Sequence, residues 1–248
     1  MIPENQALNN TNNPRHEIEE AIAAGDLPKL LTMSGLLHGH FCPFLAIGVK
    51  ASARALKELG VSSAGMEEVI AIVETNSCFS DGVQFVTGCS FGNNALIYRD
   101  FGKTAFTLAK RNGDALRVTV KADSRFLAEH EPQAAELFRK VVVERRGTEA
   151  EWRSLGELWR QAAFKMLALP DDELFDVNRV TAKVPAYSRI FANVKCSLCG
   201  ESVMEPRARI RDGKPVCIPC SGREYYQLTG DGMSVIKNMD SAEEKRAG

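Results

Sequence analysis

Apolar residues recur at helical spacing over residues 16–33, where Ile18, Ile22 and Leu30 mark one face and the GDLP at 25–28 predicts a break or kink. A second helix is predicted over 43–59: Phe44, Ile47, Ala51, Ala55 and Leu59 form its stripe, and Gly60 is suited to end it. VIAIVET at 69–75 is continuous enough for a buried strand, and 78–88 suits a short helix. Residues 95–99, 104–110 and 115–121 read as strands, the last two joined at Arg111, Asn112 and Gly113 as a hairpin. Helical spacing returns over 132–146 and 151–168, where Trp152, Leu155, Leu158, Trp159 and Leu167 alternate with charge until Pro170. Residues 171–194 are mixed, with a short strand inside FDVNRVTAKVP. Helices around a mixed or antiparallel sheet make the expected class α+β.

Composition narrows the partners more than the fold. The chain has 248 residues, 44% of them hydrophobic, and a formal net charge of −1. That allows a substantial core and gives no electrostatic argument for nucleic acid. Apolar runs fall short of a membrane span. The first residues, MIPENQALNNTNNPRHE, carry neither a basic start nor an apolar block, so they are expected to be a disordered arm, with a cytoplasmic location as the default. The expected organisation is an arm over 1–15, a core domain over 16–190, a four-cysteine module over 191–235 and a flexible tail over 236–248.

The seven cysteines fall into two groups. Cys196, Cys199, Cys217 and Cys220 form C-x2-C, a spacer of 17 residues, and C-x2-C. Four thiolates in two close pairs suit tetrahedral Zn²⁺, with Gly200 turning after the first pair and Arg211, Asp212 and Gly213 turning a hairpin in the spacer. A redox dithiol pair or an iron–sulfur cluster would explain the spacer less well. The module's excess of three positive charges over 194–223 is mild and no aromatic residue interleaves it, so a solvated or protein-docking face is the simpler reading.

The other group carries the candidate chemistry. In HGHFCP, residues 38–43, two of the chain's four histidines alternate with a cysteine. Pro43 favours an extended Cys42, and in an extended segment His38, His40 and Cys42 share one face while Phe41 points to the other. Pro43 also suits the first position of the next helix, whose free amides favour a thiolate at Cys42. If 78–89 is helical, Cys78, Asp81 or Gly82, Phe85 and Cys89 recur along one side, with Gln84 nearby. Cysteines of this kind often only fill a core, and Cys89 could pack, line the same cavity or bond another thiol. The spacing allows a divalent metal or a metal-free Cys42 nucleophile assisted by His40.

HGHFCPFLAIGVK at 38–50 resembles the signature of the FmdE family, named after a component of the molybdenum or tungsten formylmethanofuran dehydrogenase. ETNSCFSDGVQFVTGCSFGNNALIYRDFGKTAF at 74–106 resembles its second block, and the C-terminal cysteines resemble a ribbon found in many members. The resemblance implies an α+β core, often dimeric, in which the two blocks meet at a metal or active site. It carries metal roles to His38, His40, Cys42 and Cys78, catalytic roles to Cys42, Asp81 and Lys103, and cofactor contacts to Cys78, Gln84 and Cys89. The implied metals are structural Zn²⁺ in the ribbon and a second divalent ion, most simply Zn²⁺, in the core. The implied partners are a second copy of the chain and a molybdenum or tungsten oxidoreductase. The chain itself has no iron–sulfur or pterin motif. Phe44, Lys50, Asn76 and Asn93 stand where the family usually has glycine, arginine, aspartate and lysine. A regulatory protein sensing metal or thiol state is the alternative function.

Overall fold

The computed structural model describes residues 13–237. Most of the expected arm and tail therefore lies outside the described residues. The chain divides into two compact units, with the division after Ala186.

The first unit begins with three helices, α1 (His16–Ala24), α2 (Leu27–His38) and α3 (Pro43–Leu59). The predicted kink is a complete break: Gly25 takes φ +69°, and Asp26 then caps α2 by accepting from the Lys29 amide at 2.9 Å. A strand, β1 (Val69–Val73), leads to α4 (Cys78–Thr87) and to β2 (Leu96–Tyr98), β3 (Ala105–Lys110) and β4 (Asp114–Val120). Two short helices follow, α5 (Ser124–His130) and α6 (Pro132–Phe138), then α7 (Glu149–Ala168), α8 (Asp171–Leu174) and β5 (Phe175–Thr181). The predicted 132–146 helix stops being regular at Phe138 and continues as a wider turn over Arg139–Val143.

The sheet order is β2-β1-β3-β4-β5. Only β1 and β2 run parallel; the other neighbours are antiparallel, and β3–β4 is the predicted hairpin, with Ala109 opposite Ala115. Side chains alternate across it. Phe106 of β3 meets Phe79 of α4, ring centroids 5.9 Å apart, so Phe106, Leu108, Leu116 and Val118 face the helices. Ile72, Thr107 and Arg117, aligned across three strands, face away from α3 and α4. Burying Phe79, Phe106, Leu45, Ile47, Leu108 and Leu116 removes enough apolar surface for about 2 kcal/mol each.

Three polar anchors fix the helices. Arg15 donates to the carbonyls of Ser63, Phe85 and Val86, so this last residue of the expected arm is tied to the end of α4. The buried Lys50 ammonium donates to the carbonyls of Leu167 and Leu169 and pairs with Asp171 at 3.3 Å. It thus terminates α7 with positive charge. Asn93 accepts from the Ser90 and Ala95 amides and donates to the carbonyls of Gly65 and Gly88, so it shapes a loop.

The second unit is made of hairpins: β6 (Asn193–Lys195) with β7 (Ser202–Met204), β8 (Arg209–Arg211) with β9 (Lys214–Val216), and, after the short α9 (Ile218–Ser221), β10 (Tyr225–Thr229) with β11 (Gly232–Ile236). Arg211, Asp212 and Gly213 turn the second hairpin, the last two at φ +51° and +75°. Among the described residues no helix is long and apolar enough to cross a membrane.

Candidate metal centre

Two helix starts and one helix end converge in the first unit. HGHFCP is not one extended strand, which corrects the alternating-face argument. His38 is the last residue of α2, Gly39 reverses the chain at φ +86°, and Cys42 is extended, at φ −151° and ψ 160°. Glycine is what permits that reversal. Phe41 does turn from the histidines: its ring lies over Gly35, where a β-carbon would come within 2.7 Å, and 5.7 Å from the Phe164 ring. That packing anchors the loop between α2 and α7.

Cys42 is the residue before α3 and Cys78 is the first residue of α4. They meet because α3 and α4 pack backbone against backbone. A β-carbon on Gly48 would sit 2.3 Å from the Phe79 carbonyl oxygen, and one on Gly82 would sit 2.6 Å from the Leu45 carbonyl oxygen. Only glycine at both positions allows this approach.

The result is a cluster of His38, His40, Cys42 and Cys78 in which one ligand atom from each lies within 4.8 Å of all the others. Asp81, one turn after Cys78, accepts from Nδ1 of His38 at 2.7 Å. Nε2 of His38 then carries the lone pair and stands 3.9 Å from the Cys42 sulfur. His40 is exposed at the rim; its ring is 4.3 Å from His38 and stacks at 5.6 Å on Trp159, which in turn meets Phe138 at 5.2 Å. Burial, then the neighbouring His38, pushes His40 below the usual histidine value, which favours a neutral imidazole.

The two thiols divide one charge. Hydrogen bonding from Cys42, aided by His38 and by its own helical amide, holds Cys78 down at about 6 against the cost of burial. The Cys78 thiolate and burial push Cys42 strongly up, while the Phe44 and Leu45 amides pull it the other way. The donor set of two sulfurs and two imidazole nitrogens, with a carboxylate behind one of them, fits a borderline-soft divalent ion.

The remaining sequence candidates lie elsewhere. Cys89 is buried with its thiol 3.5 Å from the Val69 carbonyl oxygen, and burial pushes it up to about 11; it packs. Gln84 lies further along α4, outside the cluster. Lys103 belongs to a separate cleft on the sheet face turned from α3 and α4. Sequence reasoning missed Trp159 as a neighbour of His40 and the pairing of Gly48 with Gly82, whose signal was two glycines at helical positions facing one another.

In the second unit, Cys196, Cys199, Cys217 and Cys220 likewise bring their sulfurs within 4.8 Å of one another. Gly200 turns after the first pair at φ +79°, and the Cys217 amide donates to the Cys196 sulfur at 3.3 Å. This is a four-cysteine cluster of the zinc-ribbon kind.

Comparison with known proteins agrees with both halves. Residues 37–176 match a family model described as "FmdE, Molybdenum formylmethanofuran dehydrogenase operon". Residues 189–226 match a "Prokaryotic dksA/traR C4-type zinc finger". A "Probable S-adenosyl-L-methionine-binding protein" of Archaeoglobus fulgidus is 40% identical over 222 residues, covering 87% of this chain and 58% of that protein. The chain thus spans little more than half of that relative. The crystal structure of a tungsten formylmethanofuran dehydrogenase FmdE-like protein from Syntrophus aciditrophicus shares the fold, with a TM-score of 0.50, 22% identity, and coverage of 79% of this chain and 92% of that one.

Proposed function

The chain belongs to the FmdE family, and on that premise we propose that its first unit is a mononuclear metal centre, most simply zinc, serving an accessory or enzyme that works beside a molybdenum or tungsten oxidoreductase. The observation that carries this reading is the convergence of His38, His40, Cys42 and Cys78 within 4.8 Å, with Asp81 bound to the outer nitrogen of His38.

Cys42 and Cys78 would supply the two sulfurs and neutralise the ion's charge. His38 would present Nε2, held in that tautomer by Asp81. His40 is the exposed donor and so the one that can yield its position to a substrate or water. A bound divalent ion supplies a Lewis acid that polarises a carbonyl oxygen or acidifies water. Trp159 and Phe138 wall the His40 side with aromatic surface, and Asp81, half exposed, can exchange a proton with solvent at its carboxylate. In the second unit the four cysteines would hold a structural Zn²⁺, the usual main source of folding free energy for so small a module.

A second reading is favoured by the likeness to the Archaeoglobus protein: the chain binds S-adenosylmethionine. The Trp159 and Phe138 rings would face the sulfonium by cation–π attraction. Saturable quenching of tryptophan fluorescence by S-adenosylmethionine, lost in Trp159→Leu, is its signature.

The metal reading is tested by replacing His38 and His40 together with alanine. The expected outcome is loss of the first unit's metal and faster alkylation of Cys42 by iodoacetamide at neutral pH. Slower alkylation, with metal content unchanged, would instead mark Cys42 as an imidazole-assisted nucleophile.

A further inference from the structure

The cleft that holds Lys103 is absorbed by neither reading. It lies over the sheet face opposite the metal centre's helices and has a volume of about 490 Å³, within the range of small-molecule sites. Its floor is a built ion pair: Glu74, 6% exposed, accepts from Arg117 through both carboxylate oxygens at 2.8 and 2.7 Å. Its rim carries Arg99, Lys103 and Lys183. Four cations thus face one carboxylate, an excess of three positive charges. Among the described residues, the ion pairs within 4 Å leave Arg99, Lys103 and Lys183 out. The intervening Asp100 is not in the lining and accepts from the Tyr98 hydroxyl.

The cations sit on a prearranged strap. The Arg99 amide donates to the Val73 carbonyl and the Lys103 amide to the Glu74 carbonyl, at 2.9 and 3.1 Å, and Gly102 turns between them at φ +63°. These bonds continue the pairing past the C-terminal end of β1 and place both residues in the lining of the cleft. Arg99 and Lys103 also act on Glu74, helping Arg117 hold its carboxyl below the usual range. At the top of the strap Phe101 is 58% exposed and lines the cleft. An exposed aromatic ring beside a cluster of cations gives the cleft one apolar surface among its charges.

We propose that this cleft binds a multiply charged anion bearing a planar ring, of the nucleoside diphosphate class. Arg99, Lys103 and Lys183 take the diphosphate oxygens, and Phe101 stacks on the base. Arg117 is already committed to Glu74 and serves as floor. Arginine forks and lysine point charges are the groups that recognise phosphate, and bases stack on exposed aromatic side chains.

Calorimetric titration of the full chain with ADP, inorganic pyrophosphate and adenosine tests it. ADP is expected to bind saturably and more tightly than pyrophosphate, with adenosine weakest. The double variant Lys103→Glu with Lys183→Glu changes exposed residues and should weaken ADP binding by at least about tenfold, whereas Phe101→Ala should bring ADP close to pyrophosphate. Cys42→Ser should leave ADP binding unchanged. Thermal melts of each variant report that it is folded. No saturable ADP binding at up to about 1 mM, which is a free energy near −4 kcal/mol, would overturn the proposal. So would equal binding of ADP and pyrophosphate by the wild type, or binding indifferent to the charge reversals.

Discussion

Asp81 makes one contact that matters, the 2.7 Å bond to His38. It sets which nitrogen of that ring is free, so its removal should act on metal affinity and leave the fold intact. Asp81→Ala is expected to weaken metal binding in the first unit by about 10- to 100-fold, read by competition with a chromophoric chelator while the four-cysteine ribbon serves as internal control. Glu74 has a different role. Its carboxyl is held below the ordinary value, first by the hydrogen bonds from Arg117. The folded chain therefore gains stability from the ionised form at any pH above the unfolded glutamate value of about 4.3. That gain disappears as pH falls through the lower folded value. Glu74→Gln should cost about 2 kcal/mol near neutrality, and urea melts should show its gap to wild type closing in acid. A gap that widened in acid would contradict the assignment. Residue types at this scale were readable in advance: HxHxC before a proline already marked donors. Their backbone was not. The φ of +86° at Gly39, and the run of α2 through exposed Leu36 and Leu37 to His38, are set by tertiary packing around Phe41 and leave no periodic trace.

Between elements, the decisive contact is α3 on α4. Gly48 and Gly82 let the two helices touch through their backbones, and that approach brings the starts of both helices, and so both thiols, to one place. Gly48→Ala would put a methyl 2.3 Å from the Phe79 carbonyl oxygen, a backbone atom that cannot swing aside. Destabilisation of about 3 kcal/mol or more is expected, with metal affinity in the first unit falling as Cys42 and Cys78 separate. Equal stability and affinity in the alanine variant would remove this account of how the cysteines meet. Regular elements were legible where local signals were strong: Pro43 and Gly60 bracket α3, and Arg111-Asn112-Gly113 turns β3 into β4. α5 escaped because seven residues, with no fully buried side chain, carry too short a pattern. The β10–β11 hairpin escaped although Gly230, Asp231 and Gly232 punctuate it, because its strands are mostly exposed and alternate weakly.

The whole chain joins an FmdE core to a four-cysteine ribbon, each with its own cluster of metal donors. The apolar residues of α7 are largely spent within the core: Leu155 and Leu167 are buried and Trp159 packs beside His40, leaving Trp152 exposed. The family and the ribbon were legible because their spacing is local; the separate cleft around Lys103 was not, because it is assembled from β1, the β2–β3 connection, β3, β4, and the end of β5 with the residues after it. If the first unit holds a metal of its own, it must load and lose that metal independently of the ribbon. The most direct measurement is zinc content per full-length chain after loading and removal of weakly bound metal, compared with the Cys42→Ser, Cys78→Ser double variant. The account predicts about two zinc ions per wild-type chain and about one in the variant, with the sulfur-only coordination in X-ray absorption persisting. One zinc in both proteins, bound by four sulfurs, would contradict it.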